Sequence, residues 1–312
     1  MHTLRYISAE EIRHLLTFPL LIAAIEAGHR RPRIQIQDGL LGSENGQYFV
    51  RNAVDSGRYM ASKLITSFPA NTAAGVLPAV QALVVLFDGR NGQPRAVLDG
   101  TEITYWRTAA DSALGAKLLA PPRPATLLIV GAGEMSIHLI RAHLSVRPSI
   151  RRILVWNRSK ERAARLVERL RGQGIEAEPT ADLAAGTKAA DLISTCTRSP
   201  HPLILGANLR AGVHLDLVGG YTSDTREADD EAARRSRVFV DRRESAFDGV
   251  GDILQPIASG AIRESDVLGD LYDLVSGGLV GRCADSDITF FKNAGGAHLD
   301  LMTAELIVQR QP

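Results

Sequence analysis

The chain has 312 residues, of which 45% are hydrophobic and 23% are charged, and its formal net charge at pH 7 is +1. These values suit a globular protein of one large or two moderate domains, and they give no reason to expect a nucleic acid or an anionic membrane as partner. No apolar run is long enough to cross a bilayer, the first residues have no secretory hydrophobic core, and the two cysteines lack metal-ligand spacing. We therefore expect a cytoplasmic protein without a metal site.

The first 120 residues predict two short helices, several strands and one long helix. Ser8-Ala9-Glu10-Glu11 is a capping box that opens the first helix, and Pro19 stands in the first turn of the second. A long helix over 102–119 ends at the proline-rich segment 121–124. Before it, strand-like segments follow one another at 48–54, 59–68, 80–87 and 95–98. Strands without intervening helices indicate an antiparallel or mixed sheet.

After the prolines, strands and helices alternate, as a parallel doubly wound sheet requires. Strands are predicted at 125–130, 152–156, 175–178, 190–194, 213–218 and 237–240, and helices at 133–146 and 160–172. A return strand over 287–292 and an amphipathic helix over 296–309 complete the chain. We predict an α/β fold in which a Rossmann-type doubly wound parallel sheet, residues 121–289, is inserted in a mixed α/β domain formed by 1–120 and 290–312.

The turn after the first of these strands is typical of dinucleotide binding. The apolar run Leu127–Val130 leads into Gly131-Ala132-Gly133-Glu134-Met135-Ser136. The two glycines allow a tight turn and a close approach of backbone N–H groups to a pyrophosphate, while the following helix supplies a favourable dipole. Ser136 is small enough for close packing of the helix on the strand. The alternative is a glycine turn without a ligand, but the ordered strand, glycines, helix and second strand favour a cofactor site.

The end of the second strand indicates which cofactor is bound. It reads Asn157-Arg158-Ser159, where an NAD-binding chain usually has Asp or Glu. A carboxylate would repel a 2′-phosphate, whereas guanidinium and hydroxyl groups can bind it. We therefore predict NADPH rather than NADH. The alternative is that Arg158 is an ordinary surface arginine that binds no cofactor. Thr195, Val218 and Gly219, at the ends of later strands, are also assigned to cofactor binding.

Three cations before the glycine turn are candidates for binding a substrate carboxylate. Arg107 lies in a helix otherwise lined with small residues, Lys63 lies in the middle of a strand, and Arg33 belongs to a basic cluster. The alternatives are a surface helix arginine, a solvent-facing lysine and a solvated loop.

Other polar residues have simpler interpretations. Asp224, Arg226 and Glu227 are predicted to open a helix, whose first turn favours acidic residues because of its dipole. His298 and Asp300 in the last helix have no signal beyond that of a helix surface.

Taken in order, segments along most of the chain resemble the ornithine cyclodeaminase/μ-crystallin family. The segments are Ser62–Asn71, Leu77–Gln81, Leu98–Thr101, Arg107–Ala110, Gly131–Gly133, Val218–Gly219, Arg226–Asp229, Gly251–Leu254 and Phe291–Lys292. The resemblance implies a Rossmann domain inserted in a substrate-binding domain that also forms a homodimer. It further implies that Lys63 and Arg107 are the catalytic residues and hold the substrate carboxylate, with Arg33 as the best match for an upstream arginine.

The chain departs from the cyclodeaminases at one motif. Where those enzymes resemble Val-Gly-Gly-Asp, this chain reads Val218-Gly219-Gly220-Tyr221. A phenol with a pKa near 10 cannot replace a carboxylate base at neutral pH. Tyr221 is therefore expected to line the substrate pocket without acting as the base.

Tyr221 in this motif and Asn157-Arg158-Ser159 at the second strand end, where the cyclodeaminases have an acid, both favour the NADPH-using reductases of the family. We expect NADPH-dependent reduction of a cyclic ketimine carboxylate, Δ1-pyrroline-2-carboxylate or Δ1-piperideine-2-carboxylate, to the cyclic amino acid. The alternatives are an ornithine cyclodeaminase that forms proline and ammonia, an alanine or opine-type dehydrogenase, and a non-catalytic crystallin-like binding protein.

Overall fold

The computed structural model describes residues 4–71 and 77–311. The chain forms two compact units: unit 1 comprises Met1–Thr108 with Gly296–Pro312, and unit 2 comprises Ala109–Gly295. Each unit contains its own sheet, six-stranded in unit 1 and eight-stranded in unit 2.

The sheet of unit 1 is mixed, in agreement with the sequence. Its strands are β1 (Arg5–Ile7), β2 (Gln35–Gly42), β3 (Gln47–Asp55), β4 (Tyr59–Ser67), β5 (Val80–Asp88) and β6 (Pro94–Asp99). The order is β1-β6-β5-β4-β3-β2. Each pair from β2/β3 to β5/β6 is antiparallel, whereas β1 pairs with β6 in parallel. The sequence did not predict β1 or β2. β1 has only three residues, and β2 is an edge strand with mostly exposed side chains, so neither contains a clear apolar pattern.

The helices of unit 1 are α1 (Ala9–Leu15), α2 (Phe18–His29), the first part of α3 (Gly100–Leu119) and the terminal α11 (Ala297–Gln309). The predicted capping box is present, because Ser8 Oγ accepts from the Glu11 N–H and the Glu11 carboxylate accepts from the Ser8 N–H. α11 packs on α2 and on strands β2 to β6. It is buried almost all round up to Glu305, so the prediction of an amphipathic terminal helix is wrong.

Unit 2 confirms the predicted doubly wound parallel sheet. Its strands are β7 (Thr126–Val130), β8 (Arg152–Trp156), β9 (Glu178–Pro179), β10 (Leu192–Thr195), β11 (His214–Leu217), β12 (Ser236–Val240), β13 (Val267–Gly269) and β14 (Ile288–Lys292). They are all parallel, in the order β13-β12-β14-β11-β10-β7-β8-β9. The chain winds outwards from β7 to β9 and then returns to β10 on the other side of β7. Ligands of such sheets bind at this switch point, beyond the carboxyl ends of the strands.

The helices of unit 2 connect these strands. They are α4 (Glu134–Val146), α5 (Lys160–Arg171), α6 (Leu183–Ala189), α7 (Asp230–Arg234), α8 (Arg243–Ala246), α9 (Gly251–Ala258) and α10 (Leu271–Val275), after the second part of α3. Two sequence predictions differ from this order. The strand predicted at 175–178 is reduced to the two-residue β9. The helix predicted to open at Asp224 begins instead at Asp230, because the side chain of Asp229 accepts from the Ala232 N–H and caps it there.

The two unit boundaries lie at 108/109 and 295/296, whereas the sequence placed them at 120/121 and 289/290. α3 is continuous across the first boundary, so the prolines that follow it mark the end of a helix and not the end of a unit. β14 is fully buried and pairs with β11 and β12, which places it in unit 2. Within 4–71 and 77–311, no helix is long and apolar enough to span a membrane.

Candidate functional site

The glycine turn of unit 2 has the backbone geometry that a pyrophosphate site needs. Gly131 has a φ of +123°, and a Cβ atom there would lie 2.9 Å from the Cys196 carbonyl oxygen, so a larger residue would be strained. Gly133 is the N-cap of α4, and a Cβ atom there would meet no atom of the described residues within 4 Å. The turn therefore fits a dinucleotide: its first glycine is required by the fold, and its second leaves the helix N-terminus approachable.

The remaining predicted residues of this turn lie in the first turn of α4. Ser136 is fully buried, where its hydroxyl donates to the Gly131 carbonyl at 3.0 Å and accepts from the Gly133 N–H at 3.2 Å. Glu134 is exposed and forms an ion pair with Arg169 of α5 at 2.6 Å, while Met135 is half-buried. Ser136 thus fixes the glycine turn internally, and Arg169 offsets the negative charge beside it.

The end of β8 presents the three residues assigned to the adenosine phosphate. Arg158 is exposed. The Asn157 side-chain amide donates to the Ser159 carbonyl at 3.0 Å. Ser159 is the N-cap of α5: its hydroxyl accepts from the Arg162 N–H at 3.2 Å and donates to Glu161 at 2.7 Å, which lowers the pKa of the Glu161 carboxyl. Asn157 and Ser159 therefore shape the loop, and Arg158 presents the cation.

The ends of β10 and β11 are held together by Glu227, a residue that the sequence assigned to a helix terminus. Its buried carboxylate accepts from the hydroxyl of Thr195, the backbone N–H of Thr197 and the backbone N–H of Gly219, each at 2.6 Å. Burial and the nearby Asp252 carboxylate raise the pKa of Glu227. This carboxylate therefore positions Thr195, Gly219 and the adjacent Val218, three of the predicted cofactor residues.

Behind Glu227 lies a fully buried ion pair. Lys292, at the end of β14, donates to Asp252 Oδ2 at 2.9 Å, and Asp252 Oδ1 accepts from the Glu227 N–H at 2.7 Å. A Cβ atom on Gly220 would lie 2.2 Å from Asp252 Oδ2, so only glycine fits there. In the sequence, the position of Lys292 at the end of an apolar strand was the signal that could have indicated this ion pair.

Tyr221 follows these glycines but is 48% exposed. The Arg198 guanidinium lies 5.9 Å from the centroid of its ring, and the Tyr221 N–H donates to the Gly219 carbonyl. Asp224, three residues further on, is also exposed. Neither side chain belongs to the buried Glu227 cluster.

Unit 1 brings two of the three predicted carboxylate-binding cations together. Lys63 of β4 donates to Asp300 Oδ1 of α11 at 2.9 Å and to the Thr104 hydroxyl of α3. Arg107 of α3 has its Nε 3.5 Å from the same Asp300 oxygen. Lys63, Arg107 and Asp300 are all buried. Arg33 lies outside this cluster, because its side chain is exposed in the loop between α2 and β2.

The charges in this cluster perturb one another. Burial lowers the pKa of Lys63 to about 8, and Arg107 adds to this effect, while Asp300 opposes it. Burial alone would raise the pKa of Asp300, but Lys63 and Arg107 keep it below its ordinary value. The sequence missed Asp300, although an acid flanked by Leu299 and Leu301 in an apolar helix was a signal of burial.

The cluster and the glycine turn define the class of the protein: a Rossmann-type dinucleotide-binding protein with a buried cation site in a second unit. Among residues 4–71 and 77–311, no group of three His, Cys, Asp or Glu residues could hold a metal ion. The chain belongs to the ornithine cyclodeaminase/mu-crystallin family, whose sequence model matches residues 21–311.

Relatives at similar length agree with this assignment. The chain is 44% identical to a Delta(1)-pyrroline-2-carboxylate reductase of Paracoccus denitrificans, over 92% of this chain and 91% of the relative. It is 32% identical to the mouse ketimine reductase mu-crystallin, over 97% of this chain and 96% of the relative. Among solved structures, Thermococcus litoralis Delta(1)-pyrroline-2-carboxylate reductase in complex with NADH and L-proline superposes with a TM-score of 0.92. It is 28% identical, over 98% of this chain and 97% of that one.

Proposed function

We propose that the protein is an NADPH-dependent reductase of cyclic ketimine carboxylates, with Δ1-pyrroline-2-carboxylate or Δ1-piperideine-2-carboxylate as substrate and proline or pipecolate as product. The observation behind this proposal is the buried Lys63–Arg107–Asp300 cluster in a chain that also contains the Gly131–Gly133 turn. The reductase relatives and the solved complex with NADH and L-proline support a nicotinamide cofactor and an imino acid substrate.

The chemistry of the substrate suits these residues. The carbon of a protonated C=N group next to a carboxylate is electrophilic, and the nitrogen keeps its proton when the carbon is reduced. The nicotinamide dinucleotide, when bound, supplies the hydride. Lys63 and Arg107 bind the carboxylate, which fixes the face of the ring that is presented for reduction. Because the iminium arrives protonated, the reaction needs no strong base at the position of Tyr221.

The preference for NADPH rests on the end of β8. Arg158 provides an exposed cation, and no carboxylate follows β8 before Glu161, whose charge is engaged by Ser159. The 2′-phosphate of NADPH would gain a charge-assisted hydrogen bond there, which NADH cannot form.

We further propose a cytoplasmic homodimer. The described structure contains two free cysteines, Cys196 and Cys283, as a reducing compartment allows. The dimer would form through the face of the unit 1 sheet opposite to Lys63. Strand register places Leu41, Tyr48 and Leu83 on that face, and all three are exposed.

The deciding experiments measure oxidation of NADPH and of NADH with pyrroline-2-carboxylate, with piperideine-2-carboxylate, and with pyruvate plus ammonia. With ornithine, whose cyclisation to proline involves no net redox change, they measure ammonia release in the presence of the oxidised nucleotide. We expect turnover with a cyclic ketimine and NADPH, and a lower kcat/KM with NADH. Release of ammonia from ornithine without ketimine reduction would identify a cyclodeaminase instead. Turnover of pyruvate with ammonia alone would identify an amino-acid dehydrogenase, and binding without any turnover would identify a crystallin-like protein.

A further inference from the structure

We propose that Asp300 is the positioning residue of the carboxylate site. One of its oxygens accepts a hydrogen bond from Lys63 and lies 3.5 Å from Arg107 Nε. Its charge leaves the cluster with a single positive charge to match one substrate carboxylate. This inference rests on the proposed function and names a residue that the reaction as described above does not use.

The geometry around Lys63 supports this role. The Lys63 ammonium group has three N–H donors, and within the described chain it donates to Asp300 and to the Thr104 hydroxyl. The Thr104 hydroxyl proton is itself directed to the Gly100 carbonyl at 2.7 Å, so its oxygen is free to accept from Lys63. These two partners fix the flexible side chain and leave one donor of the ammonium group for a ligand.

Unsatisfied polar atoms mark the same place. Asp300 Oδ2 and Arg107 Nε are both buried and have no hydrogen-bond partner among the described residues. Leaving charged groups buried and incompletely bonded costs stability, so a fold retains them where they serve another purpose. Both atoms belong to the cluster of Lys63, Arg107 and Asp300, so hydrogen bonds within the described chain leave part of the bonding capacity of this cluster unused.

The charges facing Lys63 can be counted from each neighbouring element. α11 contributes Asp300, and α3 contributes Arg107 with the neutral Thr104. β3 contributes Arg51, whose Nε lies 2.9 Å from Asp38, and β5 places the neutral Val84 opposite Lys63. Because Arg51 is paired with Asp38, the two cations Lys63 and Arg107 and the anion Asp300 leave one positive charge. Without Asp300, two buried cations would repel each other, and Lys63 would lose its proton more easily.

The test compares Asp300→Asn with Glu305→Gln. Glu305 is a matched control, because it is also a buried acid on α11 and also forms ion pairs, with Arg31 and Arg58, but none with Lys63. In the free protein, the rate of Lys63 acetylation by acetic anhydride is followed against pH by mass spectrometry of the peptide that contains it. The pH dependence of kcat/KM for pyrroline-2-carboxylate is measured with saturating NADPH. The ionisation of the substrate affects the pH dependence of kcat/KM equally in all variants, so a difference between variants reports on the protein.

We expect the wild-type acetylation midpoint near pH 8, in line with the pKa of Lys63. Asp300→Asn should lower that midpoint, shift the alkaline fall of kcat/KM in the same direction, and reduce kcat/KM at pH 7 by about 100-fold, chiefly through KM. Glu305→Gln should retain both wild-type pH profiles. An unchanged midpoint in Asp300→Asn, or equal shifts in both variants, would overturn the proposal.

A second variant keeps the test decisive if Asp300→Asn does not fold. Asp300→Glu retains the charge but moves the carboxylate, so the acetylation midpoint should stay within about half a pH unit of wild type while kcat/KM falls. A wild-type kcat/KM in Asp300→Glu would contradict a positioning role. If the wild-type protein reduces no ketimine, the proposed function fails, whereas the acetylation midpoints still decide whether Asp300 holds Lys63.

Discussion

Two cations of the proposed sites, Lys63 and Arg158, are held in different ways. The ammonium group of Lys63 is fixed inside unit 1 by Asp300 and Thr104 before any substrate binds. Arg158 is exposed after β8, so its guanidinium group loses side-chain entropy when it binds a phosphate. At the scale of single residues, Lys63 is therefore suited to orienting a substrate, and Arg158 is suited to distinguishing between two cofactors.

The role of Arg158 can be tested by Arg158→Ala. Loss of a charge-assisted bond to phosphate should weaken NADPH binding by about 10- to 100-fold and leave NADH binding within about twofold of wild type. Dissociation constants follow from nicotinamide fluorescence. Arg171→Ala is the matched control, because Arg171 is exposed at the opposite end of α5. Equal weakening of both cofactors in Arg158→Ala would rule out recognition of the 2′-phosphate.

At the scale of elements, two different devices stabilise the strand ends beside the switch point of unit 2. The turn after β7 depends on the positive φ of Gly131 and on the hydroxyl of Ser136. The ends of β10 and β11 depend on the buried carboxylate of Glu227. The first device leaves backbone groups approachable, and the second brings two strand ends into register beside the switch point.

Gly133→Ala should separate folding from cofactor binding. A Cβ atom at this position would meet no atom of the described chain within 4 Å. The free energy of unfolding should therefore change by less than about 1 kcal/mol, the scale of an N-cap substitution. The same methyl group would obstruct a pyrophosphate, and NADPH affinity should fall at least about tenfold. Gly172→Ala, at the end of α5 where a Cβ atom makes only ordinary contacts, should change neither quantity. Retention of NADPH affinity in Gly133→Ala would argue against a dinucleotide at this turn.

Glu227→Gln should weaken the junction between β10 and β11. An amide cannot accept from Thr197 and Gly219 on both of its ends, so at least one backbone N–H loses its partner. The free energy of unfolding in urea should fall by about 1–3 kcal/mol, and NADPH should bind less tightly. Glu231→Gln weakens only ion pairs near the surface, with Arg234 and Arg235, and should stay within about 0.5 kcal/mol of wild type. Equal stabilities of the two variants would contradict the role of Glu227.

At the scale of the whole molecule, the two faces of the unit 1 sheet differ. One face contains Lys63 and is covered by α11, while the other exposes Leu41, Tyr48 and Leu83. Exposed apolar side chains that continue across neighbouring strands are typical of a protein interface. The proposed homodimer would bury them.

Leu41→Glu combined with Leu83→Glu should therefore convert a dimer into a monomer in sedimentation velocity. Buried glutamates would have to give up hydration without a partner, which a dimer interface cannot compensate. Leu205→Glu changes a leucine of similar exposure in unit 2 and should remain dimeric. If the wild type, the double variant and Leu205→Glu are all dimers, the interface lies elsewhere. A monomeric wild type would refute the proposed dimer.

Local patterns predicted most of the fold because they act over a few residues. Alternating strands and helices indicated the parallel sheet, and Ser8 with Glu11 indicated the start of α1. The edge strand β2 was missed, since its conformation comes from pairing with β3 and not from an apolar pattern. The helix expected at Asp224 was misplaced because several acids compete as N-cap, and only the fold selects Asp229.

The sequence by itself determined the class of fold, the glycine turn and the candidate cations Lys63, Arg107 and Arg158. Only the tertiary structure decided which charges meet. Asp300 follows Lys63 by more than two hundred positions, yet one of its oxygens lies 2.9 Å from the Lys63 ammonium group. The physical reason is that helix and strand patterns depend on neighbours in the chain, whereas a buried charge depends on partners that arrive from other elements.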